Sequence, residues 1–133
     1  MAVIKRNQYG AIAVNKGVLS KIIIGQLLEM SDVVIPCNKK GKPIKEKPTP
    51  FIDPDYYDSV EVYEKKHVIR VKVYIITRFG SSISDIAEEL FNRIETALAE
   101  IEIEKPGRIT INIKGIMATQ LMKRDIEVIR RND

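Results

Sequence analysis

The chain has 133 residues, 44% of them hydrophobic and 30% charged, with a net charge of +4, the proportions of one ordinary globular domain rather than a disordered or fibrous chain. No uncharged apolar run is long enough for a transmembrane helix, and the start, MAVIKRNQYGAIAV, lacks the apolar core and small-residue cleavage site of a secretory signal. One cysteine, Cys37, excludes an internal disulfide and offers no cysteine cluster for zinc. A cytoplasmic protein is the expectation.

Met1 to Gln8 reads as a polar arm, and Tyr9 to Val14 as a short strand. Asn15 is placed to cap a helix over Lys16 to Met30, because its side-chain oxygen can accept an otherwise unpaired N–H of the first turn. That helix is apolar on much more than one stripe, so it is buried either on several sides or against another molecule. Ile24 and Leu28 mark the surplus arc and are the candidate self-association residues. Gly25, unfavourable inside a helix, suggests that another backbone comes close there.

Ser31 to Cys37 reads as a strand stopped by Pro36. A basic, proline- and lysine-rich loop follows over residues 38–58, with Lys39, Lys40, Lys42, Lys45 and Lys47 against Glu46 near its start. Phe51, Ile52, Tyr56 and Tyr57 can tack its end to the body. Ser59 to Glu64 alternates and leads through Lys65-Lys66 into His67–Phe79, where Ile69, Val71, Val73, Ile75 and Phe79 alternate with Arg70, Lys72, Tyr74 and Arg78. The pair reads as an antiparallel hairpin without the usual Asn-Gly turn.

After Gly80 the period changes from two to between three and four. Ile83, Ile86, Ala87, Leu90, Phe91, Ile94, Ala97 and Leu98 form one helical stripe, which ends near Ile101, with Ser82 as its cap. This helix is acidic, with Asp85, Glu88, Glu89, Glu95 and Glu100 against Arg93. The basic loop and the acidic helix can pair in space or between subunits. Arg108 to Met117 alternates as a further strand. Ala118, Met122, Ile126 and Ile129 recur at helical spacing, which predicts a C-terminal helix over 118–131. The expected fold class is α+β: a two-layer sandwich, a mixed or antiparallel sheet with helices on one face, in one domain over 1–133.

No catalytic constellation stands out, and neither an enzyme nor a cofactor is expected. His67 is the only histidine and lies in no nucleophile motif. Cys37 in VVIPC reads as a small apolar filler, Ser81 to Ser84 as a capped strand-to-helix turn, and Asp53, Asp55 and Asp58 as a turn without the glycine of a calcium loop. The sheet face away from the helices would carry Arg70, Lys72, Tyr74, Arg78 and Lys114, with Asn112. Cations beside a ring suit a protein partner or, as the alternative, single-stranded RNA.

YGAIAVNKGVLSKIIIGQLLEM resembles the opening segment of the alkaline shock protein family, the bacterial envelope stress response domain. IRVKVYIITRFGSSISDIAEELFNRIETAL resembles its second signature, an alternating strand, an aromatic-Gly turn and Ile-x-x-Ile-Ala-x-x-Leu opening a helix. GRITINIKGI resembles its closing strand. The resemblance implies a non-enzymatic cytoplasmic scaffold related to envelope homeostasis, which forms homo-oligomers and is held at the membrane by a separate anchor protein.

Overall fold

The computed structural model describes the backbone of residues 2–7, 10–44 and 54–133, and the side chains of 15–44 and 54–133. Lys45, Lys47, Phe51, Ile52 and Asp53, named above for the basic loop and the turn, lie outside the described residues, as does Tyr9.

A two-stranded antiparallel hairpin opens the chain, β1 (Ala2–Asn7) with β2 (Gly10–Asn15). The expected arm is thus a strand: its backbone groups pair in register with β2, from Ala2 opposite Asn15 to Asn7 opposite Gly10. Helix α1 (Lys16–Glu29) follows, and the Asn15 side chain accepts from Gly17 N–H at 2.6 Å as its cap. Then come β3 (Val34–Pro36), a 3-10 turn (Pro54–Ser59), β4 (Val60–Lys65), β5 (Val68–Arg78), α2 (Ile83–Glu100), β6 (Arg108–Met117) and β7 (Leu121–Arg131).

β3 to β7 build a five-stranded mixed sheet. β5 is central: β6 lies parallel along one side, and the other side is shared end to end by β4, opposite Val68 to Val73, and β3, opposite Ile75 to Thr77. β7 closes the far edge antiparallel to β6. Because β5 and β6 are parallel, α2 serves as their crossover. The fold class is α+β, as the two periodicities predict.

Alternation decides the inner face. Val62, Val71, Val73, Ile75, Ile109, Ile111 and Ile113 are buried, and α2 lays Ile86, Leu90, Ile94 and Leu98 on them in the same cluster. Each such side chain contributes roughly 1.5–3 kcal/mol before ordering entropy is subtracted. Ser82 caps α2 by accepting from Asp85 N–H at 3.3 Å. At the other end Ile103 N–H donates to Leu98 O and Glu102 N–H to Ala99 O, with Glu102 at φ 60°. This is the left-handed helix stop whose apolar clasp here is Leu98 with Ile103, and it explains why Ile103 is buried although it leaves the stripe.

Helix α1 is buried on several sides, against α2, β3, β4 and the 3-10 turn that carries Tyr56. This corrects the self-association assignment of Ile24. Ile24 is 0% exposed in the chain's own core, and Leu28 is half-buried against it. Gly25 is also corrected: a Cβ built there meets nothing within 4 Å. The β4–β5 hairpin forms as expected, but its two turn residues are Lys66 and His67, both left-handed at φ 52° and 65°. That is the conformation Asn-Gly normally supplies.

The C-terminal helix expected over 118–131 is a strand, β7. Ile126 and Val128 turn inward onto the core, and a register shift between Ile113 and Gly115 resets the alternation of β6 and β7. That shift is what made the spacing from Ala118 to Ile129 look helical.

Candidate interaction surfaces on either side of the sheet

Both helices cover one face, so the even-numbered residues of β5 face outward on the other. The structure divides this outer face in two. Its upper half is closed: Cys37, Tyr74 and Ile76 form a second buried cluster, with Ile35, Met117 and Leu121 packed on it. The start of the lysine loop lies over this half. Asn38 Oδ1 accepts from the N–H groups of Lys40 and Lys42, Cys37 bridges Pro43, and a Cβ on Gly41 would stand 3.2 Å from the Lys114 Cβ. Lys39, Lys40 and Lys42 project outward, exposed.

The five residues proposed for this surface therefore separate. Tyr74 is 6% exposed, and its hydroxyl donates to Glu61 Oε2 at 3.3 Å. Burial first, and the Glu61 carboxylate second, push its phenol pKa up. The ring is enclosed and has no free face for a base. Lys114 sits at the register shift and pairs with Asp125 at 3.1 Å. Arg78 is at the strand end, where its Nε donates to Ser31 O at 3.2 Å and ties β5 to the turn after α1. Only Arg70 and Lys72 lie in the open lower half. Lys72 Nζ stands 5.8 Å from the Tyr63 ring centre, within cation–π range.

The same half holds residues that inspection of single strands missed. Register sets Tyr63 opposite Arg70, Arg70 opposite Arg108, and Arg108 opposite Arg131, a row across β4, β5, β6 and β7. Arg108 shares parity with Thr110 and Asn112 and was legible on β6. Arg131 required β7 to be a strand. Arg70 reaches Asp133 at 3.4 Å, and the buried Nε–H groups of Arg70 and Arg108 have no acceptor among the described residues.

The helical side is acidic. Arg130, from the inward set of β7, donates to Glu88 at 2.6 Å, Glu95 at 2.8 Å and Asn92 at 2.9 Å, with its guanidinium 4.8 Å from the Phe91 ring centre. Burial pulls its pKa down, but the bonds to Glu88 and Glu95 outweigh that and raise it. Between α1 and α2 runs a groove of about 1000 Å³, lined by Glu29, Asp32, Asp85, Glu88, Glu89 and Glu100 with Arg93 as its one cationic side chain. Arg93 pairs with Glu29 at 2.9 Å and Glu89 at 3.5 Å. The described start of the basic loop therefore lies across the sheet from the acidic helix.

Cys37 is fully buried and its thiol is pushed up to about 12, burial outweighing the opposite pull of Lys114. It is a packed thiol rather than an activated one. His67 is exposed on the hairpin turn, 3.8 Å from Glu64. Ser82 is occupied as a cap, and Asp55 and Asp58 are exposed on the 3-10 turn. Among the described residues no group of three or more His, Cys, Asp or Glu side chains could hold a metal ion.

No curated protein and no solved structure matches this chain. The family model of the alkaline shock proteins, described by a cell envelope-related function, matches residues 4–118, from within β1 to just past the end of β6. The chain belongs to the alkaline shock protein family, and its function is related to the cell envelope.

Proposed function

We propose that the protein is a non-enzymatic scaffold of the cell envelope, acting in the cytoplasm by self-association and by docking to a partner that holds it at the membrane. The observation that carries this reading is the one-sided fold. Both helices cover the inner face, and the lower half of the outer face presents a row of cations across three strands, Arg70, Arg108 and Arg131, with Tyr63 beside it on β4. A sheet face built this way is suited to contact rather than to chemistry, because it is open, charged and without an enclosed site for a substrate. The groups with reactive potential have other occupations: Cys37 packs a buried cluster and Ser82 caps α2.

No helix among the described residues is long and apolar enough to cross a membrane. In this reading the envelope connection therefore runs through a partner. The RNA alternative asked for an accessible ring at Tyr74, and that ring is enclosed.

Sedimentation velocity of the purified chain tests the scaffold reading, together with flotation on vesicles made from the source membrane with and without its integral proteins. The expected result is concentration-dependent assembly, and flotation only when the integral proteins are present. A monomer at every concentration, or equal binding to protein-free vesicles, overturns it.

A further inference from the structure

We infer that the two charged surfaces are complementary halves of one contact, in which the arginine row on the sheet face of one copy docks against the carboxylate-lined groove between α1 and α2 of the next. The inference rests on the scaffold reading and names its interface.

Neighbouring strands stand about 4.8 Å apart, so the backbone positions of Arg70, Arg108 and Arg131 follow one another at about that pitch across the sheet, Arg70 half-buried and Arg131 exposed at the edge. Lys72 adds a fourth cation two residues along β5. Within the chain these charges are only partly used. Arg70 shares Asp133, whereas Lys72, Arg108 and Arg131 have no carboxylate partner among the described residues. Glu61 stands opposite Lys72 in register and is engaged by the Tyr74 hydroxyl, and Glu127 lies further along the same face, outside the row.

The groove shows the opposite imbalance. Arg93 answers Glu29 and Glu89, and Arg130 answers Glu88. Asp32, Asp85 and Glu100 line the same groove without a cation among the described residues. Guanidinium groups pair with carboxylates through two parallel hydrogen bonds, a geometry that also fixes orientation.

The row and the groove lie on opposite sides of the sheet, so neither can satisfy the other within one copy. Between copies both are satisfied at once. A polyanion would meet the row alone and leave the groove's carboxylates unanswered, which is why a second copy is the occupant the charges favour. A contact between two different patches on opposite sides is head-to-tail, so it joins copy to copy, into a ring where the rotation closes and a filament where it does not.

Sedimentation velocity of the full chain, with circular dichroism to confirm folding, tests this. Wild-type assemblies should grow with concentration and fall toward monomer as salt rises from about 0.05 to about 0.5 M. Lys72→Glu with Arg131→Glu, and separately Asp32→Lys with Glu100→Lys, should each weaken association at least about tenfold, because like charges then face each other. Mixing the two variants should restore assembly, since each reversed patch meets an opposite one. Should either double variant unfold, the exposed single changes Arg131→Glu and Glu100→Lys give the same comparison. Wild-type assembly that both variants leave intact would overturn this interface while sparing the scaffold reading. A wild-type monomer throughout would overturn both. A monomer that binds a labelled oligouridine through Lys72 and Arg131 would replace the second copy with a polyanion.

Discussion

Cys37 shows how much one enclosed group can bias the molecule. A thiol whose pKa rises on folding holds its proton more tightly in the folded state than in the unfolded one. The stability tied to it is whole below about pH 9 and is lost as pH climbs toward about 12, at up to about 1.4 kcal/mol per pH unit. Tyr74 in the same cluster is shifted in the same direction. Urea unfolding at about pH 8 and about pH 10.5 should therefore show falling stability, and Cys37→Ala should flatten that fall. An unchanged slope in the variant would place the titration elsewhere. Gly25 offers a second check. With open space where its Cβ would stand, Gly25→Ala should stabilise α1 by about 0.4–1 kcal/mol, read as a higher urea midpoint with the same m-value. A loss of stability would mean that a neighbour does approach there. At this scale the sequence is legible where chemistry is local. The Asn15 and Ser82 caps are local, whereas the enclosure of Tyr74 and the Lys114–Asp125 pair depend on what other strands and the loop bring beside them.

At the scale of elements, β5 and α2 were legible because each keeps one hydrophobic period, β6 because it alternates as far as Ile113, and α1 because an apolar run follows the Asn15 cap. β7 was not, for two physical reasons. Its inward set runs Ile126, Val128 and then Arg130, so the alternation of apolar residues breaks where a cation takes over. The register shift beside Lys114 also offsets its first residues from its last. Arg130 is nevertheless the strand's main tie to α2. Glu95 is 8% exposed and is held by Arg130 and Asn132. Removing the guanidinium leaves a carboxylate in a nearly closed site with one partner lost. Arg130→Met, which keeps an apolar stem near Phe91, should destabilise the fold by about 2–3 kcal/mol in urea unfolding. Adding Glu95→Gln should return at least about 1 kcal/mol, since no buried charge then remains. Additive losses in the double variant would show that the two side chains act separately.

Across the whole molecule, the division of the sheets sets the order in which the fold opens. β5 has ladder partners along both sides, and its inner residues share one cluster with both helices. β1 and β2 form their own two-stranded sheet, hydrogen-bonded to no strand of the larger one. A hairpin of two strands has marginal stability by itself, while a central strand opens only when the sheet does. Native-state hydrogen exchange should therefore find the slowest amides in Val71 to Ile76 and Ile109 to Ile113, exchanging near the free energy of global unfolding. The paired amides of β1 and β2 should exchange faster by at least about 2 kcal/mol of opening energy. The scaffold reading makes the order informative under assembly as well. If copies join through the arginine row and the α1–α2 groove, assembly at low salt should slow exchange on β7 and at the exposed ends of α1 and α2, and leave the hairpin unchanged. Protection that appeared first in β1 and β2 would move the contact to the other end of the chain.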